Sequence, residues 1–233
     1  MSAYGDSMDL ELVGRVVLVV GGNGLIGSAV VARLEAEGAT VVVGSRSGPR
    51  GIRIDATDAA SVDPAIAAVL AEHGRLDGLV VTAAPSAQTL DPARHADPDQ
   101  VIEAVNVKAM AFLRVANAVL PGMVEAGFGR VVGVSGQNAF LTGNVTGSVR
   151  NAALIIAAKN LADGVAGSGV TVNTVSPGVV TTTPSSEVRP GAPGESSPEQ
   201  IADLIAFLLS PRSAAVSGES IATGHRVRGI ISL

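Results

Sequence analysis

The stretch Val16-Val-Leu-Val-Val-Gly-Gly-Asn-Gly-Leu-Ile-Gly27 carries the strongest structural signal in this chain. Its first five residues are aliphatic and predict a buried strand, and the residues from Leu25 onward predict a helix. Between them, Gly21, Gly24 and Gly27 are spaced three residues apart. Glycines before a helix N-terminus leave backbone N–H groups open to a phosphate, with no side chains in the way. The stretch therefore predicts a site for the pyrophosphate of a dinucleotide.

The same alternation of strand and helix continues along the chain. Near-continuous apolar strands separated by helices predict a parallel sheet covered on both faces. We expect a doubly wound α/β fold of the Rossmann type, with about seven strands, in a single domain over 1–233 and with a flexible tail over 1–10. Strands are predicted at 15–20, 40–44, 52–54, 79–83, 130–135, 170–175 and 220–223, and helices at 25–37, 61–73, 97–119, 148–165 and 198–209.

Two segments depart from this alternation. Only seven residues separate Gly44 from Ile52, whereas a parallel crossover with a helix needs a dozen or more. Seven extended residues reach roughly 23 Å, so we expect this crossover helix to be missing. Residues 179–197 are rich in Thr, Ser, Pro and Gly, which predicts a mobile loop on the substrate side.

The composition narrows the classes of partner and chemistry. With a net charge of −5 and 2% aromatic residues, the chain is not expected to bind nucleic acid. It has no cysteine, which excludes disulfides and thiolate catalysis, and no His/Asp/Glu spacing indicates a metal site. Apolar runs such as 16–20 are too short to span a bilayer, and 1–11 does not resemble a secretion signal. We therefore expect a cytoplasmic protein without a membrane partner.

The residues at the end of the second strand favour one cofactor. An NAD site usually has an acidic residue there, which holds the ribose hydroxyls. Here the strand continues into Ser45 and Arg46, which could hold a 2′-phosphate that a carboxylate would repel. We expect NADP(H) to be preferred over NAD(H). The alternative is that Arg46 is a solvated loop residue.

From about residue 10 to residue 224 the chain resembles the short-chain dehydrogenase/reductase family. The segment Asp55-Ala-Thr-Asp58 is similar to the family's motif after the third strand, and 79–85 stands where the family has Asn-Asn-Ala-Gly. The segments Val105-Asn-Val-Lys108 and 172–178 match two further motifs. With the glycine stretch, the resemblance implies a cofactor held by Gly21, Asn23, Gly24, Leu25, Ile26, Gly27, Ser45, Arg46, Asp55, Ala56, Ala83, Ala84, Pro177, Gly178 and Thr182.

The catalytic segment departs from the family's pattern. The place of the catalytic Ser falls on Gly136, and the places of the Tyr-x-x-x-Lys pair fall on Gly147 and Asn151. The only tyrosine of the chain is Tyr4. Carbonyl reduction needs a proton donor in hydrogen-bond reach of the substrate oxygen, so the family's usual route should slow by on the order of 10²–10⁴.

Two residues remain as catalytic candidates. Asn106 matches the family's helix Asn, which supports a water in the proton relay. Ser135 could donate to a substrate oxygen, or could simply cap a nearby backbone group. Other polar residues could bind a polar ligand or only satisfy the loop backbone, namely Gln137, Asn138 and Asn144. His95, in the loop after the fourth strand, is the only histidine considered as an acid. We expect a surface or interface position for Arg150, a helix-end position for His73 and a subunit contact for His225.

Three functions stay open on this basis. The first is an atypical NADP(H)-dependent oxidoreductase acting on a small carbonyl or alcohol. The second is a catalytically silent nucleotide sensor, or a non-catalytic partner subunit of an active paralogue. The third is a non-redox lyase or isomerase that uses the same pocket. The resemblance also implies a homodimer or homotetramer built on helices 97–119 and 148–165, or a mixed oligomer with a paralogue.

Overall fold

The predicted apolar runs pair into one parallel sheet in the structure, a computed structural model that describes residues 8–47, 51–84 and 89–230. The strands are β1 (Val16–Val20), β2 (Thr40–Ser45), β3 (Ile52–Arg53), β4 (Gly78–Val81), β5 (Gly129–Val134), β6 (Val170–Pro177), β7 (Val179–Val180), β8 (Glu195–Ser196) and β9 (Ser220–Thr223). Seven of them form the main sheet in the order β3-β2-β1-β4-β5-β6-β9, and β7 pairs with β8 separately.

Helices cover both faces of this sheet. They are α1 (Leu25–Ala36), α2 (Ala59–His73), α3 (Pro98–Val105), α4 (Ala111–Glu125), α5 (Val145–Gly164) and α6 (Pro198–Leu209). One apolar layer joins the sheet to α1 and α6, and the other joins it to α2, α4 and α5. Because both faces are covered, every residue of β1, β4, β5 and β6 is buried. The predicted doubly wound Rossmann-type fold is confirmed.

The helix predicted over 97–119 is longer than expected and is not uniform. It begins after Asp97, whose side chain accepts from the backbone N–H of Asp99, and it continues past Pro121 to Glu125. The buried side chains Leu120 and Met123 keep α4 packed on the sheet, which outweighs the proline. Between α3 and α4, residues Asn106–Met110 form one turn of π-helix. The periodic apolar pattern predicts neither the continuation nor this turn.

The connection from β2 to β3 is as short as expected. The two strands are parallel neighbours, and the described residues between them, Arg46, Ser47 and Gly51, are bends rather than helix. Gly51 has φ +85°, and a Cβ atom there would lie 1.9 Å from the carbonyl oxygen of Val43. The returning chain therefore passes directly against β2.

Two segments differ from their predictions. The segment 179–197, expected to be a mobile loop, contains the short strands β7 and β8, and a Cβ atom at Gly194 would lie 1.7 Å from the carbonyl oxygen of Gly224. This close backbone contact depends on the distant end of β9, so local composition does not reveal it. Leu10, expected in the tail, is 6% exposed and packs in the core; residues 1–7 lie outside the described chain.

One helical stretch of the described chain, Pro98–Glu125, has the length and the mean hydropathy, 1.4, of a membrane span. Half of its most apolar window is buried inside the fold, and core helices commonly meet the same criterion.

Candidate functional site

The glycine stretch turns sharply between β1 and α1. Gly21 has φ +89°, and its N–H donates to the carbonyl oxygen of Gly44 over 2.8 Å. Gly24 caps α1, and no capping side chain is hydrogen-bonded to the first N–H groups of that helix. A Cβ atom at Gly27 would lie 2.1 Å from the carbonyl oxygen of Gly21. The stretch thus has the backbone shape of a phosphate cradle, and glycine is required where the helix meets the turn.

A cleft of about 410 Å³ opens beside this turn, at the carboxyl ends of β1, β2 and β4. Ligands of open α/β sheets bind at this edge. The cleft brings together nine of the residues assigned to the cofactor: Gly21, Asn23, Gly24, Ser45, Arg46, Asp55, Ala56, Ala83 and Ala84. It is also lined by Ser47, Thr57, Thr82, Val107 and Ala111, which the sequence motifs did not single out.

Polar groups line the end of the cleft beside β2. The side-chain amide of Asn23 donates to the hydroxyl of Ser45 over 3.0 Å, and that hydroxyl donates to the carbonyl oxygen of Ser47. Asp55 accepts from both the hydroxyl and the backbone N–H of Thr57. These two hydrogen bonds, helped by the charge of Arg46, hold the pKa of the Asp55 carboxyl below its usual value. The carboxylate is therefore ionised and already engaged with its own loop.

The other residues assigned to the cofactor lie outside the lining of this cleft. Leu25 is 60% exposed at the start of α1. Pro177 and Gly178 stand at the far end of β6, where a Cβ atom at Gly178 would lie 2.2 Å from the carbonyl oxygen of Gly194. Thr182 is exposed just beyond β7. Ile26 and Gly27 belong to the first turn of α1.

The three positions that the sequence analysis matches to the family's catalytic residues lie together. A Cβ atom at Gly136 would be 3.2 Å from Oδ1 of Asn151, and Nδ2 of Asn151 donates to the carbonyl oxygen of Gly147 over 2.8 Å. Oδ1 of Asn151 is buried, and no donor among the described residues bonds to it. The hydroxyl of Ser135 donates to the backbone carbonyl of Asn151 over 3.0 Å. The hydroxyl of Ser135 thus donates to a backbone group, which agrees with the alternative that it caps the nearby backbone.

Two amide side chains lie close to Gly147, the position that the sequence analysis matches to the family's tyrosine. A Cβ atom at Gly147 would lie 3.3 Å from Nδ2 of Asn138 and 3.3 Å from Oδ1 of Asn144. Asn144 is the N-cap of α5, and its Oδ1 accepts from the backbone N–H of Gly147. Any larger side chain at position 147 would displace one of these two amides.

Asn106 and Lys108 lie on the π-helical turn. Oδ1 of Asn106 accepts from Arg114 over 2.8 Å, so its side chain faces its own helix. Lys108 is only 7% exposed, and its Nζ donates to the carbonyl oxygen of Ser135 over 3.1 Å. Burial, reinforced by the nearby Arg150, lowers the pKa of Lys108 to about 7. Sequence motifs did not single out Lys108, because a lysine in a helical segment is ordinarily solvated.

Arg150 is also buried, which contradicts the surface or interface position expected for it. Its side chain is 4% exposed, and burial lowers the pKa of the guanidinium. The side chain of Arg150, one residue before Asn151 on α5, is therefore buried in the protein and not exposed to solvent.

Most other polar candidates have structural partners. Gln137 is 1% exposed, and its side chain bonds to backbone groups of Thr223, His225 and Val227. The backbone carbonyl oxygen of His95 accepts from both the N–H and the hydroxyl of Thr146, whereas Nδ1 of its ring is buried and has no hydrogen-bond partner among the described residues.

The two remaining histidines lie away from the cleft lining. His73 is the last residue of α2, as expected for a helix end, and His225 has φ +102° in the segment after β9. Within the described ranges, no group of three or more His, Asp or Glu side chains has the arrangement of a metal site.

Known proteins are similar to this chain over nearly its whole length. Residues 23–224 match the family model described as Enoyl-(Acyl carrier protein) reductase. The 3-oxoacyl-(acyl-carrier-protein) reductase of Vibrio harveyi is 28% identical, over 91% of this chain and 96% of its own. The D-threitol dehydrogenase of Mycolicibacterium smegmatis is 31% identical, over 91% of this chain and 92% of its own.

A solved structure has the same fold as this chain. The crystal structure of levodione reductase superposes with a TM-score of 0.80, at 21% identity, over 92% of this chain and 97% of that one. With the glycine turn, the cleft at the carboxyl edge of the sheet and the match over 23–224, this chain belongs to the short-chain dehydrogenase/reductase family of oxidoreductases.

Proposed function

We propose that the protein is an NADP(H)-preferring oxidoreductase that acts on a small carbonyl or alcohol through an atypical proton donor. The observation that carries the proposal is the cleft of about 410 Å³, which is lined both by the glycine turn and by Ser45 and Arg46. Dinucleotides bind to parallel sheets in this way, with the pyrophosphate at the first helix and the ribose at the end of the second strand.

The residues present fit such a cofactor. The open N–H groups at the start of α1 would hold the pyrophosphate, and a side chain at Gly27 would disrupt that cradle. Arg46 and the hydroxyl of Ser45 would hold the 2′-phosphate through charge-assisted hydrogen bonds. Asp55, by the family resemblance, would meet the adenine edge. When bound, the cofactor supplies or accepts a hydride.

The chemistry is proposed to be atypical because the positions for the family's proton-transfer residues carry no phenol and no amine. Gly136, Gly147 and Asn151 stand there, and their neighbours are amides. An amide neither donates nor takes up a proton near neutral pH. Another group must therefore exchange the proton, or the reaction must be slow.

The crowding around Gly147 also favours a second candidate function. Because Asn138 and Asn144 close the space beside this glycine, the site is built around amides. A nucleotide-binding sensor, or a partner subunit of an active paralogue, needs only the cofactor half of the site.

Calorimetric titration with NADPH and with NADH tests the cofactor part of the proposal. We expect binding in the micromolar range for NADPH and at least tenfold weaker binding for NADH, a difference of about 1.4 kcal/mol or more. Equal affinity would contradict the role of Arg46. The lack of any binding would contradict the proposed function itself.

Two of the relatives suggest the first substrates to assay. One is named as a reductase of 3-oxoacyl chains on a carrier protein and the other as a dehydrogenase of D-threitol. We propose testing a 3-oxoacyl thioester with NADPH and a small polyol with NADP⁺, with absorbance of the reduced nicotinamide as the readout. Turnover of either favours the enzyme; NADPH binding without turnover of either favours the silent binder.

We also propose that the protein is a cytoplasmic homo-oligomer. Ile102 on α3 and Val149 and Ile156 on α5 are 67%, 40% and 61% exposed, and these helices are the expected contact surface. Light scattering on the purified chain tests this; a monomer at micromolar concentration would contradict it.

A further inference from the structure

Lys108 is an unusual lysine for a protein core. The sequence contains two lysines, and they have opposite environments. Lys159 pairs with Asp163 on the surface of α5, with 53% of its side chain exposed. Lys108 is 7% exposed, with its amine on the carbonyl oxygen of Ser135. Lysines are almost never fully buried unless they are paired with an acid.

The amine of Lys108 lies beside the position that we match to the family's catalytic Ser. Its Nζ is 3.1 Å from the carbonyl oxygen of Ser135, and that carbonyl carbon is bonded to the nitrogen of Gly136. Gly136, which the resemblance matches to the catalytic Ser, is half-buried. This point is the carboxyl end of β5, at the sheet edge where ligands bind in such folds.

The π-helical turn explains how a helix residue reaches this point. Residues Asn106–Met110 form the turn, and its neighbours Val107 and Ala111 line the cofactor cleft. A π turn inserts an extra residue into the helix and so redirects the side chains around it, and such turns are frequent at functional sites. Lys108 therefore belongs to the same turn as Val107 and is hydrogen-bonded to the carboxyl end of β5.

The charges around Lys108 suit proton exchange. Among the charged groups of the described chain, Arg150 on α5, which is also cationic, is the one whose charge lowers the pKa of the Lys108 amine. Burial first, and Arg150 second, lower the pKa of Lys108 to about 7. A general acid works best when its pKa lies near the working pH.

We propose that Lys108 is the residue that holds and exchanges the proton of the reaction, in place of the phenol that the family uses. The inference rests on the proposed function. In the reduction direction, the substrate carbonyl carbon gains a hydride from reduced nicotinamide and the C=O π bond opens. The substrate oxygen takes a proton from the ammonium of Lys108, which becomes a neutral amine and regains a proton from water. Alcohol oxidation reverses these transfers.

The two-lysine composition allows a direct test on the whole protein. In the variant K159R, Lys108 is the only lysine, so a lysine with ¹³C at Cε gives a single side-chain signal by NMR. We expect this signal to titrate with a midpoint near 7. The titration is then repeated with NADP⁺ bound and with NADPH bound. The two cofactor forms differ in the positive charge of the oxidised ring, so the midpoint should be roughly one pH unit lower with NADP⁺.

Each outcome separates the inference from the proposed function. A midpoint near that of an ordinary lysine, or the same midpoint with both bound forms, would overturn the role of Lys108 and leave cofactor binding intact. If neither form binds in calorimetry, the proposed function fails and this inference fails with it.

Two substitutions add a second measurement. K108M should fold and bind NADPH, yet lose at least a hundredfold in turnover of any substrate found, within the range for a missing general acid. K108R keeps the charge but cannot release the proton near neutral pH, so its activity should be equally low. Activity in K108R close to the wild type would show that Lys108 only fixes β5, and would overturn the proposal.

Discussion

The α-carbon of Gly27 faces the carbonyl oxygen of Gly21 so closely that a Cβ atom would lie 2.1 Å from it. In the variant G27A, the methyl group must push α1 away from the turn. We expect NADPH binding at least tenfold weaker in calorimetry and a lower midpoint of thermal unfolding. G122A is the matched control, because the space at Gly122 on α4 is open and alanine favours helix by about 1 kcal/mol. If G27A bound NADPH normally, the phosphate cradle would be assigned wrongly.

Arg46 should set the preference between the two nicotinamide cofactors. Removing a charge-assisted hydrogen bond costs about 1.5–3 kcal/mol, so R46A should bind NADPH roughly ten- to a hundredfold more weakly. Binding of NADH should change little, because it carries no 2′-phosphate. R53A is the control, since Arg53 is exposed on β3 and outside the cleft lining. An equal loss of NADPH affinity in both variants would point to a general charge effect instead.

The sequence predicts most of the fold because the information is local. Apolar runs, glycine stops and caps such as Asp97 are signals within a few residues of each other, and the strands and helices follow from them. The pair β7–β8 was missed because each strand has two residues and the pair depends on the contact between Gly194 and Gly224. The end of α4 was missed because buried side chains outweigh Pro121.

The carboxylate of Asp77, directly before β4 at the amino end of the strands, should make the stability of the fold sensitive to acid. Its carboxylate is 5% exposed and accepts from Arg15, Arg75 and the backbone N–H of Val16. Burial by itself raises the pKa of Asp77, but these hydrogen bonds outweigh it and hold the pKa below 3.8.

A carboxyl with a lowered folded pKa stabilises the protein fully above its unfolded pKa, and the contribution is lost as the pH falls through the folded value. D77N should therefore cost about 1–3 kcal/mol at pH 7 and less at pH 3, in chemical denaturation. D63N, on the exposed face of α2, is the control. An equal cost of D77N at both pH values would mean that the charge of Asp77 does not matter.

The lowered pKa of Lys108 predicts that stability also depends on pH above about 7, whereas Asp77 acts at acidic pH. The folded pKa of Lys108 is about 7 and its ordinary value is 10.5, so between these values the unfolded chain binds more protons and stability rises with pH. The variant K108M lacks this dependence. The free energy of unfolding of K108M minus that of the wild type should be roughly 2–3 kcal/mol larger at pH 6 than at pH 9, because each pKa unit corresponds to about 1.4 kcal/mol. A stability difference between K108M and the wild type that is the same at both pH values would contradict the lowered pKa.

The candidate site was only partly predictable. Ser45, Arg46, Asp55 and the glycines follow strand ends, and strand ends of a parallel sheet meet at one edge, so their convergence on one cleft could be anticipated. The burial of Lys108 could not, because a helical periodicity of 3.6 residues does not describe a π turn. The burial of Arg150 on α5 depends on how other elements pack around that helix, which local sequence does not reveal.

The short connection between β2 and β3 has a consequence for association between copies of the chain. It leaves one margin of the sheet as a strand of two residues, Ile52–Arg53, with the arginine exposed, while the opposite margin, β9, has four residues. A long unpaired margin offers N–H and C=O groups as a template for a foreign strand, and short or charged margins do not. We expect this chain to resist strand-to-strand polymerisation even when it is concentrated.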